Sequence, residues 1–198
     1  EWSQADKSWP YAVACLAFCL VMVPAGRMQD TLGPRLVATL GGVLVGLGMI
    51  IASFTTTPSG YIVGFGLLAG SGIGFGYASA TPPAVKWFPG AKTGLIAGLV
   101  VSGFGLASVY AAPLTRWLIG AYGLPTTVMV LGIAFLLVVA GLAQILKAPP
   151  KGYVPEGTVV APAGDGPQKK VDYRPSEMLA TWQFYVLWFM YACGAGAG

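Results

Sequence analysis

The sequence has no histidine, and charged residues fill only 9% of its 198 positions. Without an imidazole, no side chain of ordinary pKa changes charge near neutral pH, and the commonest metal ligand is missing. Soluble domains carry about 25% charged residues, so a chain this poor in charge does not read as one. Cysteine is scarce as well. Cys15, Cys19 and Cys193 all lie inside apolar runs without metal-ligand spacing, and they read as small packing residues. The net charge of +4 comes with no basic patch interleaved with aromatics, so nothing points to nucleic acid. Between Ser8 and Leu146 the one acidic residue is Asp30, and it stands between apolar runs rather than inside one. Nucleophile–base pairs and metal clusters are missing too. Together these absences argue against an enzyme and call for no cofactor.

Long uncharged runs are what the chain does have. It is 56% hydrophobic and holds 29 glycines, and glycine is more frequent in membrane helices than in soluble ones. A spanning helix needs about 20 mostly apolar residues. Ser8 to Gly26 is one such run, opened by Trp9-Pro10-Tyr11, which reads as an interfacial aromatic anchor beside an N-terminal proline. Leu36 to Val85 is too long for one span, and Thr55 to Gly60 divides it with turn chemistry. The predicted spans are therefore 8–26, 36–54, 60–82, 93–115, 124–146 and 181–198, with Gly120 to Pro125 as the turn before the fifth. Lipid offers no partner for free backbone groups, so each is expected to be helical. The fold class is an all-α multi-pass membrane protein. The chain starts at Glu1 rather than Met and ends within an apolar run, so it is expected to be part of a longer protein.

Lys and Arg give the expected orientation. Segments 26–35, 86–93 and 147–180 carry nine of them, whereas 1–7, 55–59 and 116–123 carry only Lys7 and Arg116. The positive-inside rule makes the first set cytoplasmic. Residues 147–180 are rich in Pro, Gly and small residues and read as a flexible cytoplasmic linker. They separate a block over 1–146 from one that starts at 181. Within the linker, Pro175-Ser176 suggests the start of a short interfacial helix, and Thr181 is a candidate cap for the span that follows.

Glycines recur at 64, 66, 70, 72, 74 and 76. This spacing predicts close helix packing rather than a phosphate loop, which would need a soluble strand and a lysine. Similar spacing at Gly41, Gly42, Gly46 and Gly48, and at Gly94, Gly98, Gly103 and Gly105, predicts the same. Tyr77 lies mid-span with Thr81 one turn on, and its hydroxyl needs a partner there: either a substrate in a wet cavity or a neighbouring carbonyl. Pro82-Pro83 bends or ends its helix. Phe104, flanked by Gly103 and Gly105, is free to project.

A charged island between two long apolar runs is Gly26-x-x-x-Asp30-x-x-Gly33-Pro34-Arg35, read as a tight polar turn. It resembles the loop signature between helices 2 and 3 of the major facilitator superfamily. Lys86-Trp-Phe-Pro-Gly-Ala-Lys-Thr-Gly94 and Ser176-Glu-Met-Leu-Ala-Thr-Trp-Gln-Phe-Tyr-Val-Leu-Trp188 are similar to the oxalate/formate antiporter and monocarboxylate transporter branch. The resemblance implies a twelve-helix carrier of two six-helix halves, with helices 2 to 6 and the start of helix 7 in this chain. It implies that Tyr77 and Phe104 line the substrate cavity, with Thr81 beside them. It also implies that Gly26, Asp30, Gly33 and Arg35 belong to a cytoplasmic gating loop with a charge latch. Thr31 and Pro34 depart from the basic residues usual there, which leaves Arg27 and Arg35 as the latch cations. The cations that neutralise carboxylate substrates would lie on helices 8 and 11, outside this chain. The implied protein is a monomeric cell-membrane carrier whose partners are a small carboxylate, protons and the lipid bilayer. It would move lactate- or pyruvate-like monocarboxylates. An oxalate/formate-type exchanger is the neighbouring expectation, and a carrier-like sensor or a channel the remoter ones.

Overall fold

The computed structural model describes residues 3–150, 153–155 and 175–196, and the chain divides into two units, Glu1–Thr158 and Val159–Gly198. In the first unit α1 runs Gln4–Leu32, α2 Pro34–Ser53, α3 Pro58–Tyr61, α4 Gly70–Lys86 and α5 Thr93–Ala143. In the second, α6 is Pro175–Leu179 and α7 Trp182–Gly196.

The start of α1 is a capping box. Ser3 Oγ accepts from Asp6 N at 3.2 Å, and Asp6 Oδ2 accepts from Ser3 N at 3.1 Å, satisfying two orphan donors reciprocally. The helix thus begins well before Pro10, which lies in its interior and not at an N-terminus. At its other end α1 continues through Asp30 to Leu32. The expected ten-residue turn at 26–35 is therefore mostly helix, and the reversal is made at Gly33, with φ 88° and ψ 161°. That conformation is essentially closed to residues with a Cβ. Pro34 then starts α2, where its fixed φ and missing N–H suit the first turn.

Thr57 caps α3, accepting from Gly60 N at 3.3 Å. α3 passes without a break into a π-helical stretch, Ile62–Ala69, and then into α4. Turns of the π type are rare and collect at functional sites. Pro82 and Pro83 do not end α4, which continues to Lys86. After a short 3₁₀ turn at Gly90–Lys92, α5 is interrupted at Gly123, with φ 77° and ψ 170°. This splits α5 into limbs over 93–122 and 124–143, so the turn expected from 116 contracts to about one residue.

Glycine-to-backbone contacts set the packing. A Cβ on Gly72 would lie 2.6 Å from Gly41 O, one on Gly48 2.5 Å from Gly64 O, and one on Gly70 2.6 Å from Ala14 O. These pairs run α2 antiparallel to the continuous α3–α4 span and α1 parallel to it. Gly42, Gly46 and Gly132 seat α2 against the second limb of α5 in the same way. The stripe at 64–76 is the packing face that its spacing predicts. By contrast, Gly94, Gly98, Gly103 and Gly105 have nothing within 4 Å of a virtual Cβ. Among the described residues their expected partner helix is not found, and the first limb of α5 is largely exposed.

Burial is distributed as lipid, not water, would have it. The tightly buried positions are mostly Gly, Ala and Ser, while Leu20, Leu99, Val109, Trp117 and Leu137 stand outside, each more than 60% exposed. Among the described residues four helical stretches are long and apolar enough to cross a membrane: Asp6–Leu32, Pro34–Ser53, Pro58–Lys86 and Gly90–Ala143, the last divided at Gly123. In the second unit α6 starts at Pro175 as expected. Thr181, the candidate cap, instead donates its hydroxyl to Met178 O at 2.7 Å.

Candidate substrate cavity and polar end

Tyr77 and Thr81 sit on one face of α4, one turn apart, because helical neighbours repeat every three to four residues. The Tyr77 ring stands edge-on between two others. Phe18 of α1 is at 5.8 Å between centroids and 76°, and Phe104 of α5 at 6.3 Å and 89°. Edge-to-face pairs of this kind contribute about 0.5–1.5 kcal/mol each beyond their buried area. They also tie three helices at one level.

On the α5 side of this aromatic row is a cavity of about 450 Å³. Tyr77, Thr81 and Phe104 all line it, joined by Met49 of α2, Phe65 of the π stretch and Phe135 of the second limb. Among its lining residues the only side-chain oxygens are the hydroxyls of Tyr77 and Thr81. The walls offer no countercharge, and an uncompensated charge in such a site is costly. Phe65, Met49 and Phe135 were not singled out by sequence reasoning. Nothing but helical periodicity marked them, and the π stretch changes that periodicity just where Phe65 lies.

The residues expected to form a gating loop lie at one end of the unit. Asp30, near the end of α1, accepts from Lys86 of α4 at 3.0 Å. Arg35, in the first turn of α2, donates from Nε to Leu146 O, just past α5, at 2.7 Å. Trp87 donates from Nε1 to Lys147 O at 2.9 Å, and Gln144 Nε2 donates to Thr39 Oγ1 at 3.0 Å. Backbone N–H groups of Gln144, Ile145 and Leu146 take up Gly141 O, Leu142 O and Ala143 O at the end of α5, and a guanidinium and an indole hold two carbonyls further on. Thr31 bonds only within its own helix, to Arg27 O and Met28 O. Gly26 lies within α1 with open space at its Cβ position, and Gly33 makes the turn. Asp30 and Arg35 therefore face different partners, a lysine of α4 and a backbone carbonyl, and neither pairing was readable in the sequence. Among the described residues no group of acidic, cysteine or histidine side chains could hold a metal ion.

Membrane-length helices packed on glycine, with large apolar side chains outward, make this a multi-pass membrane protein. Residues 1–198 match the Major Facilitator Superfamily throughout, and the chain belongs to that family. An uncharacterized MFS-type transporter of Escherichia coli, YhjX, is 28% identical over 195 residues, covering 97% of this chain and 46% of that protein. The oxalate:formate antiporter of Oxalobacter formigenes is 29% identical over 164 residues, 82% of this chain and 37% of that one. Monocarboxylate transporter 13 of Rattus norvegicus is 37% identical over 100 residues, 50% of this chain and 23% of that one. These likenesses put the chain in the oxalate/formate antiporter and monocarboxylate transporter branch. The chain spans less than half the length of each of these relatives.

Proposed function

We propose that the full-length protein is a secondary transporter that moves a small monocarboxylate, lactate- or pyruvate-like, by alternating access and together with a proton. The cavity beside Tyr77 carries this reading. Its lining is apolar apart from Tyr77 and Thr81, the two lining residues that carry a side-chain hydroxyl, which suits the apolar body of a small organic anion. The relatives named for monocarboxylate and for oxalate and formate transport support the substrate class. The countercharge for the carboxylate comes from the rest of the protein. Phe104 packs on Tyr77 and holds it toward the cavity.

In this reading the end that carries Asp30, Arg35 and Lys86 is cytoplasmic, in keeping with the excess of Lys and Arg there. The Asp30–Lys86 pair is part of a latch that makes and breaks as the carrier cycles. Residues 147–180 act as the linker between the two halves of a monomeric carrier, with 1–146 in the first half and 181–198 opening the second. Uptake of labelled lactate into vesicles, with and without an imposed pH gradient, tests the proposal. Saturable uptake accelerated by an inward proton gradient is expected. Uptake that ignores the gradient and requires anion inside the vesicle would instead favour the exchange of small carboxylates, the second reading that the oxalate:formate relative supports.

A further inference from the structure

We propose that Trp87 is a positioning residue that anchors the segment leaving α5 and passes to it any displacement of the α4 end. The indole holds that segment at two places. Its Nε1 donates to Lys147 O at 2.9 Å, and its ring meets the Tyr153 ring edge-on, with centroids 5.2 Å apart at 62°. Tyr153 N is in turn bonded to Pro150 O at 3.0 Å. Arg35 fixes the preceding carbonyl, Leu146 O, from α2. The segment is thus held from two sides just after it leaves the helix.

Trp87 is a suitable lever for reasons local to α4. Pro82 and Pro83 have no N–H, so the carbonyls one turn earlier lose their helical donors and the last turn of α4 is weakly joined to the rest. Lys86, next in sequence to Trp87, reaches across to Asp30 of α1 at 3.0 Å. Adjacent residues therefore connect the same turn to α1 on one side and to the segment beyond α5 on the other. Between Trp87 and the α5 end lies a groove lined by Pro83, Ala84, Leu142 and Ile145, into which that turn can shift. A change at the Asp30–Lys86 pair then moves Trp87, and with it Lys147 and Tyr153.

The test uses the full-length protein in unsealed membrane fragments, so that both faces are open to trypsin, and follows cleavage after Lys147 by mass spectrometry. Cleavage reports the population in which the segment has come free. Trp87→Leu and Tyr153→Ala should each raise the rate roughly 5-fold, the scale of one lost aromatic pair. Trp87→Phe, which keeps a ring but loses the donor, should lie between wild type and Trp87→Leu. The second arm tests transmission. Asp30→Asn, which removes no contact of the segment itself, should raise the rate in the wild-type background and have no further effect with Trp87→Leu, since coupled sites are non-additive. Equal rates in wild type, Trp87→Phe and Tyr153→Ala would overturn the anchor. An Asp30→Asn effect of the same size in both backgrounds would overturn the transmission. Where Trp87→Leu is poorly inserted, Trp87→Phe serves in both arms, and the Asp30→Asn effect in that background should then be smaller than in wild type.

Discussion

Lys86 Nζ lies 3.0 Å from Asp30 Oδ1, joining the ends of α1 and α4 across 56 positions of sequence. Both side chains are more than half exposed. The pair therefore contributes little to stability, on the order of 0–1 kcal/mol, and is easily broken. Asp30→Asn is expected to leave the Tm of the purified full-length protein nearly unchanged while slowing transport. Exchanging the two residues, Asp30→Lys with Lys86→Asp, should restore part of the rate. Binding affinity that falls in step with turnover would argue that the pair acts on substrate and not on the cycle.

Tyr77→Phe removes one hydroxyl and keeps the ring contacts with Phe18 and Phe104. A hydrogen bond to a charged group contributes about 1.5–3 kcal/mol. Carboxylate uptake at low concentration is thus expected to fall by roughly 10-fold or more, with membrane insertion intact. Uptake equal to wild type would return Tyr77 to a purely packing role.

Gly33 and Gly123 occupy conformations that L side chains rarely adopt, with φ 88° and 77°. Gly33→Ala and Gly123→Ala should each cost about 1–3 kcal/mol, read as a lowered midpoint in thermal unfolding of the detergent-solubilised protein. There is open space at both positions, so a loss of stability there would report backbone strain and not a clash.

Gly48 and Gly141 make a contrasting pair. A Cβ on Gly48 would sit 2.5 Å from Gly64 O, whereas one on Gly141 meets nothing within 4 Å. Gly48→Ala is expected to lower the yield of folded protein severalfold. Gly141→Ala should be neutral or stabilising by about 0.5–1 kcal/mol, since alanine is the better helix former. Size-exclusion profiles of the two variants decide the matter.

Much of this architecture was legible because lipid restricts the choices. Uncharged runs marked the helices, and the glycine spacing at 64–76 marked a face that does contact α1 and α2. Lengths and ends were less legible. Thr31 and Asp30 are polar, yet α1 simply carries them beyond its apolar part, so polarity between 26 and 35 was mistaken for irregular backbone. Pro10 was read as a helix start and Pro82-Pro83 as a bend or an end, though helices held by tertiary contacts on both sides continue through them. The face of Gly94, Gly98, Gly103 and Gly105 looked like the other glycine faces in sequence, and spacing alone does not say whether a partner is present. Of the cavity, Tyr77, Thr81 and Phe104 were named in advance, while Met49, Phe65 and Phe135 needed the fold to bring them near. The contacts of Arg35 with Leu146 and of Trp87 with Lys147 are between a side chain and a backbone carbonyl, and residue types cannot announce them.

The π-helical stretch at Ile62–Ala69 also bears on how the protein fits its bilayer. Pro58–Lys86 contains 29 residues, which would extend about 43 Å as regular α-helix, against a hydrocarbon layer about 30 Å thick. Turns closed by i→i+5 bonds put more residues into each ångström of axis, so this span is shorter in space than in sequence. Exchanging a π turn for an α turn lengthens it without adding a residue. Mismatch costs a fraction of a kcal/mol per ångström, a scale on which such exchanges are cheap. The stretch thus brings the length of this span nearer to the hydrocarbon thickness than its residue count implies, with Gly64 and Gly66 inside it packed against α2 and α1.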